Sequence, residues 1–177
     1  EFKGVGLHTG KKVKMKIFPS APNSGVIFKR IDLKNKNIII PNVFNVINAT
    51  LCTTISNEFG VKVSTIEHLM ASMYVLGLDN ALIELNSQEV PIMDGSAKNF
   101  VDKIIETGFE ISETPLKFIK IEKSVSIKKD SKFINIDKSN ITLDIDFEIK
   151  YKNLLIGNQQ NKISVYQDDM TDVLNSR

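Results

Sequence analysis

The feature that most constrains the fold is a change in the spacing of apolar residues along the chain. Val13, Met15 and Ile17 alternate with lysines, the period of two that is typical of a strand with one side in solvent. Between Ile66 and Leu76 the apolar residues instead recur at intervals of three and four, which predicts a helix with one buried face. The two periods together predict an α+β domain.

Turn-forming and capping residues set the predicted boundaries of the elements. Further strands are predicted over residues 26–31, 37–40, 50–55 and 80–85. The segment Ser64-Thr-Ile-Glu67 has the form of a capping box, so Ser64 is predicted to cap a helix that begins at the next residue and ends near Gly77. A second helix is predicted to open at Ser96 and to close at Gly108.

The pattern changes again near Pro115. Strands are predicted over residues 118–127, 132–136, 141–149 and 162–166, with a polar loop at 153–161 and a final helix capped by Asp168 or Asp169. A helix that begins there has few residues before Arg177 and is marginal by itself. We therefore expect one complete domain over residues 1–114 and the truncated start of a second over residues 115–177.

Composition restricts the class of protein. Hydrophobic residues make up 42% of the 177-residue chain and charged residues 25%, which is typical of a soluble globular protein and excludes a disordered tail. The net charge is +2 and the lysines are scattered between acids, which argues against nucleic-acid binding. No apolar run approaches the ~20 residues of a membrane span, and Cys52 has no partner for an internal disulfide. We therefore expect a cytoplasmic protein without a transmembrane segment.

The pair Glu67-His68 is the first candidate for chemistry. At the start of a helix, His68 could bind a metal ion while Glu67 takes a proton from water bound to that ion. The structural alternative is that Glu67 serves only as the acceptor in the capping box. The helical metalloprotease motif is absent, because the residue four positions after His68 is Ser72.

Three other residues are candidates with equally plain structural alternatives. His8 lies between glycines, whose turns could hold its imidazole near a ligand or could mark a β-bulge. Asp94 either caps the second helix or presents a carboxylate to a cleft, and Cys52 is predicted to be a buried, inert thiol in an apolar strand. A catalytic zinc site usually has three protein ligands, so the residues alone indicate no more than half of a metal site.

Five short segments occur in a characteristic order and spacing: Gly4-Val-Gly-Leu-His-Thr-Gly-Lys11, Leu51-Cys-Thr53, Ser64-Thr-Ile-Glu-His-Leu69, Gly77-Leu-Asp-Asn80 and Pro91-Ile-Met-Asp-Gly-Ser96. Together they resemble the UDP-3-O-acyl-N-acetylglucosamine deacetylases, zinc-dependent enzymes of lipid A biosynthesis. The resemblance covers essentially the whole chain and is clearer before residue 115 than after it. It implies two similar α+β domains, each a two-layer sandwich of a sheet and helices, with the active site at their junction.

The resemblance also implies roles for individual residues. His68 matches one of the zinc ligands, and Glu67 matches the general base that activates water against the acetamide carbonyl. Leu51 and Cys52 match the family segment whose backbone lies beside the zinc. Asp94 matches an acid near the catalytic centre, and His8 matches a motif histidine of the family. All four are expected to bind substrate. The remaining zinc ligands of the family, a His and an Asp, are expected beyond Arg177.

Two hypotheses therefore stand. In the first, the chain is part of a hydrolase that uses Zn²⁺ to remove the N-acetyl group of the small-molecule substrate UDP-3-O-acyl-N-acetylglucosamine. In the second, it is a truncated, non-catalytic module that binds a sugar nucleotide or a partner chain. A His and an Asp a few residues apart, downstream of Arg177, would decide for the first.

Overall fold

The computed structural model describes residues 1–117, 119–139 and 143–177, and its elements confirm the predicted α+β class. The strands are β1 (Phe2–Val5), β2 (Lys12–Pro19), β3 (Val26–Arg30), β4 (Ile38–Ile39), β5 (Val46–Asn48), β6 (Thr54–Ser56), β7 (Lys62–Ser64), β8 (Ala81–Leu85), β9 (Val125–Lys129), β10 (Lys132–Ile136), β11 (Asp144–Lys150) and β12 (Asn158–Ser164). The helices are α1 (Glu67–Val75), α2 (Lys98–Thr107) and α3 (Thr171–Asn175), and a short 3-10 helix spans Val43–Asn45.

A five-stranded sheet with the order β1-β2-β8-β3-β4 forms the centre of the first part of the chain. Adjacent strands in this sheet run antiparallel, except that β3 and β8 run parallel to each other. The alternation predicted for β2 is confirmed, because Val13 and Met15 are buried while the lysines at 12, 14 and 16 are exposed. One face of the sheet is therefore apolar and must be covered.

Helices α1 and α2 contribute to the core that covers this face. Leu69 and Met73 of α1 and Phe100 of α2 are buried in the same cluster as Phe28 and Ile83 of the sheet. The ring of Phe100 also lies against that of Phe2, with centroids 5.2 Å apart. The first turn of α1 is thus fixed to a packed core, which gives any site there a rigid base.

A smaller sheet with the order β5-β6-β7 leads directly into α1. The buried Arg30 at the end of β3 donates from Nη1 to the carbonyl of Lys62 at 2.9 Å, and Asp32 neutralises its charge at 2.6 Å. Asn57 donates from its side-chain nitrogen Nδ2 to the carbonyl of Ile38 at 2.9 Å. These bonds tie the small sheet to the β3–β4 edge of the large one.

The chain divides into two compact units, one of residues 1–114 with 171–177 and one of residues 115–170. The second unit contains two antiparallel hairpins, β9–β10 and β11–β12. None of the helices in the described ranges is long and apolar enough to cross a bilayer.

Several predicted boundaries are wrong. The strand predicted over 50–55 begins only at Thr54, as β6 (Thr54–Ser56). The strand predicted over 118–127 begins, among the described residues, only at Val125, as β9 (Val125–Lys129). The polar segment predicted as a loop forms a turn over residues 153–157, but its residues 158–161 belong to β12, because Asn158–Ser164 pairs along its whole length with β11. Residues 118, 141 and 142 of the predicted strands lie outside the described residues.

The helix ends are predicted better than the helix starts. Gly77 has φ 66° just after α1, and Gly108 has φ 80° as the C-cap of α2, as glycine commonly does there. Asp168, one of the two predicted caps of α3, lies three positions before that helix, and its carboxylate accepts from the amide of Ser164 at 2.6 Å.

Candidate active site

Glu67 and His68 occupy the first two positions of α1. Consecutive residues of a helix are rotated by about 100° around its axis, so the two side chains diverge and can flank one ligand. An acidic side chain in the first turn also interacts favourably with the helix dipole. Both residues are half-buried, which leaves them accessible.

The predicted capping box is wrong. The N-cap of α1 is Ile66, which makes no side-chain capping bond, and Ser64 is the last residue of β7. The hydroxyl of Ser64 donates to the carbonyl of Gln88 at 3.2 Å. The backbone of Ser64 also forms an isolated parallel β-bridge with that of Glu89. Glu67 is therefore not the acceptor of a capping box, and the structural alternative for this residue does not hold.

The carboxylate of Glu67 instead joins two of the sequence motifs. Its Oε2 atom accepts a hydrogen bond from the amide of Thr53 at 3.0 Å, across fourteen positions of sequence. The segment Leu51-Cys-Thr53 is thereby fixed beside the start of α1. One oxygen of the carboxylate is positioned by this bond, and the other remains free of hydrogen bonds within the described part of the chain.

The placement of Leu51 and Cys52 differs from the prediction of a buried strand. Leu51 is 80% exposed and Cys52 is half-buried, in a bend before β6. The Cys52 sulfur lies 3.7 Å from the hydroxyl of Thr54. The segment is therefore a surface loop, because the apolar residues that suggested a strand lack paired backbone neighbours until Thr54.

A buried carboxylate that the sequence did not reveal organises the loop around His8. Glu89 accepts from the amides of His8 and Thr9, both at 2.9 Å, and from the hydroxyls of Thr9 at 2.6 Å and Thr65 at 2.9 Å. The side chain of His8 itself is exposed. Nothing in the local spacing marks Glu89 as buried, because its partners lie 24 and about 80 positions away.

Asp94 lies in the turn that leads into α2. Its Oδ1 atom accepts from the hydroxyl of Ser96 at 2.8 Å and from the Ser96 amide at 3.1 Å, while Oδ2 faces Arg177 at 3.2 Å. The Ser96 hydroxyl, followed by the Ser96 amide, lowers the pKa of Asp94 to about 2 against an opposing contribution from burial. Asp94 is therefore a carboxylate at neutral pH, and α2 begins only at Lys98.

The turn that holds Asp94 is also tied to the helix that carries His68. The hydroxyl of the buried Ser72 donates to the carbonyl of His68 at 2.7 Å and to that of Ala97 at 3.1 Å. The described structure thus brings together Glu67 with Leu51-Cys-Thr53, and the His8 loop with Thr65. It shows no hydrogen bond or ion pair, among the described residues, from Asp94 or His8 to Glu67 or His68.

The donor set fits one metal ligand rather than a complete metal site. The imidazole of His68 makes no hydrogen bond in the part of the chain that the structure describes, so both of its nitrogens remain available. Across the same residues no three His, Cys, Asp or Glu side chains come together as a metal-binding group. A tight site for zinc would need further ligands.

The model of one protein family matches residues 1–177, the whole chain, and it describes UDP-3-O-acyl N-acetylglycosamine deacetylase (LpxC). The chain belongs to this family. The resemblance carried by the five motifs is thereby confirmed.

Three relatives named UDP-3-O-acyl-N-acetylglucosamine deacetylase illustrate the match. The protein of Haemophilus ducreyi is 41% identical over 154 residues, which cover 87% of this chain and 50% of the relative. The proteins of Wigglesworthia glossinidia brevipalpis and Nautilia profundicola are each 47% identical, over 82% and 89% of this chain and 50% and 52% of their own length. The chain thus spans about half the length of the curated relatives it matches.

Proposed function

We propose that this chain supplies one half of a zinc-dependent amidohydrolase that removes the acetyl group of UDP-3-O-acyl-N-acetylglucosamine, giving the free amine and acetate in lipid A biosynthesis. The observation that carries the proposal is the start of α1. There a half-buried glutamate, held by the Thr53 amide, adjoins a histidine whose imidazole is free to coordinate. Membership of the deacetylase family supports the same reading.

His68 would hold the zinc ion through its imidazole, together with ligands outside this chain. Zinc, when bound, supplies Lewis-acid activation of water and of the acetamide carbonyl. Glu67 then takes the proton from the attacking water, because the oxygen that is not bonded to Thr53 remains available as a base. The bond from Thr53 keeps that oxygen in one orientation.

Substrate contacts are assigned to four further residues of the first unit. The loop with Leu51 and Cys52 is fixed to Glu67 by the Thr53 amide. Glu89 bonds both the backbone amide of the exposed His8 and the hydroxyl of Thr65. Asp94 offers an ionised carboxylate. We assign these four residues to binding of the sugar nucleotide, in a cytoplasmic enzyme with two α+β sandwich domains that begin at residues 1 and 115.

The decisive experiment compares Glu67→Gln with His68→Ala in a chain extended to the full length of the relatives. Glutamine retains an oxygen that can accept from Thr53 but has no basicity, so zinc content should stay unchanged while turnover falls by about 10²–10⁴-fold. His68→Ala should lower zinc content itself. Zinc is measured by elemental analysis, and turnover by release of acetate from UDP-3-O-acyl-N-acetylglucosamine.

Glu84→Gln is the matched control, since Glu84 makes a surface ion pair with Lys29 at 2.8 Å and lies on β8. It should leave both zinc content and turnover unchanged. Near-normal turnover in Glu67→Gln would exclude Glu67 as the base. Absence of turnover in the unsubstituted extended chain would favour the non-catalytic module.

A further inference from the structure

Glu89 is a charged side chain with no exposed surface in the described structure. Removing a carboxylate from water is costly unless hydrogen bonds replace its hydration. Here each oxygen accepts two hydrogen bonds: Oε1 from the His8 amide and the Thr65 hydroxyl, and Oε2 from the amide and hydroxyl of Thr9. Burial raises the pKa of Glu89, but these bonds outweigh it and leave that pKa below its usual value.

The four donors come from two distant parts of the chain. His8 and Thr9 belong to the loop after β1, whereas Thr65 lies two positions before Glu67. Thr65 has φ 58°, an unfavourable conformation for a β-branched residue, and its hydroxyl reaches Glu89 from it. The carboxylate is therefore the junction between the loop and the start of α1.

The loop has a glycine, Gly6, where it passes close to this carboxylate. A Cβ atom on Gly6 would lie 2.3 Å from Oε2 of Glu89 and 2.4 Å from the hydroxyl oxygen of Thr9. Gly6 does not have a positive φ, so alanine is excluded by contact with the buried carboxylate rather than by backbone conformation. Glycine here follows from the close approach of Glu89.

We propose that Glu89 is a positioning residue that holds the His8 loop against the start of α1 and thereby places His8 for substrate binding. The carboxylate bonds the backbone amide of His8, which leaves the exposed imidazole free of that bond. The role in substrate binding rests on the proposed function, whereas the structural junction does not. The two parts are therefore tested separately.

The structural part is tested by amide hydrogen exchange in the 177-residue chain. In Glu89→Gln the amides of His8 and Thr9 should exchange at least about tenfold faster, because a neutral amide cannot accept from all four donors. The amide of Ile83 in β8 should be unchanged. Unchanged exchange at His8 and Thr9 would overturn the proposal.

Gly6→Ala provides an independent variant in case Glu89→Gln does not fold. Its Cβ displaces the carboxylate without removing it, so exchange at His8 and Thr9 should again increase. Gly10→Asn is the matched control in the same loop, since nothing lies within 4 Å of a Cβ at Gly10 and asparagine tolerates its φ of 63°. Equal effects of the two substitutions would attribute the change to the loop alone and overturn the proposal.

The functional part is tested by a double-mutant cycle in the extended chain. Glu89→Gln should raise KM for UDP-3-O-acyl-N-acetylglucosamine by about fivefold or more, with zinc content unchanged. In the His8→Ala background the same substitution should raise KM by less than about twofold, because a residue that acts through His8 has no effect once His8 is removed. Equal effects in both backgrounds would show that Glu89 does not act through His8.

These outcomes also separate this inference from the proposed function. If the extended chain has no deacetylase activity, the exchange experiments still decide whether Glu89 holds the loop. If Glu67→Gln abolishes turnover while Glu89→Gln leaves exchange and KM unchanged, the proposed function stands and the inference on Glu89 fails.

Discussion

Two residues that precede the candidate carboxylates have a left-handed backbone. Thr65 has φ 58° and lies two positions before Glu67, and Met93 has φ 57° and lies immediately before Asp94. For residues other than glycine this conformation costs about 1–2 kcal/mol and persists only where the surroundings impose it. For Thr65 the bond to Glu89 is one such restraint. Left-handed residues therefore lie within two positions of both carboxylates, and the described chain has further non-glycine residues with this conformation elsewhere.

The ionisation of Asp94 provides a prediction at this scale. Ser96→Ala removes the hydroxyl that contributes most to its low pKa, so the pKa should rise from about 2 toward 3.8. Because the folded pKa is lowered, the stabilisation from Asp94 is complete above its unfolded pKa and is lost as the pH falls through the folded value. Carboxyl NMR titration of the 177-residue chain measures the shift.

Arg177→Gln is the comparison for this titration. The charge of Arg177 contributes less to the low pKa of Asp94 than the Ser96 hydroxyl and amide do, so this substitution should raise the pKa less than Ser96→Ala does. A larger shift in Arg177→Gln would show that the ion pair, rather than the turn, controls the carboxylate.

Single residues were predictable where their chemistry is local. Glu67 and His68 could be singled out because an acid and an imidazole are adjacent at the start of an amphipathic helix. Glu89 could not, since the four donors that make its burial tolerable are brought together only by the fold. Cys52 was misplaced because apolar neighbours suggest a strand whether or not a pairing partner exists.

At the scale of elements, Ser72 links helices α1 and α2. Its buried hydroxyl donates to carbonyls of α1 and of the residue before α2. Ser72→Ala should lower the free energy of unfolding by about 1 kcal/mol, since the hydroxyl proton shared between the two carbonyls is lost and the higher helix propensity of alanine offsets part of that loss. Urea denaturation followed by circular dichroism measures the change.

Ser24→Ala is a suitable control because the hydroxyl of Ser24 bonds only within a surface turn, to Ser20 and Gly25. Its effect should stay within about 0.5 kcal/mol. A stability of Ser72→Ala equal to that of the control would show that the packing of apolar side chains alone holds the two helices together.

Elements were predicted well where a local signal has a single structural outcome. A glycine after an apolar helical pattern ends a helix in most contexts, and both predicted helix ends are found close to their glycines. The capping box failed because the Ser64 hydroxyl is bonded to Gln88, which is 24 positions away. The first part of strand β12 was missed because polar residues form a strand when a partner such as β11 is available.

At the scale of the whole molecule, the chain corresponds to about half of its relatives. Its described residues contain one candidate metal ligand, His68, and no group of three. The 177-residue chain should therefore bind Zn²⁺ more than about 100-fold more weakly than a chain extended to the relatives' length, because one imidazole leaves the other coordination positions to water. Competition with a chromogenic chelator measures both affinities.

The contribution of His68 distinguishes this explanation from general instability of the shorter chain. In the extended chain, His68→Ala should weaken zinc binding strongly, since it removes one of several ligands fixed together. In the 177-residue chain the same substitution should remove what weak binding there is, while Glu67→Gln should change it little. Tight zinc binding by the 177-residue chain that survives His68→Ala would mean that the metal is held elsewhere. Chelator-sensitive deacetylation by this chain alone would show that the remaining ligands lie within it.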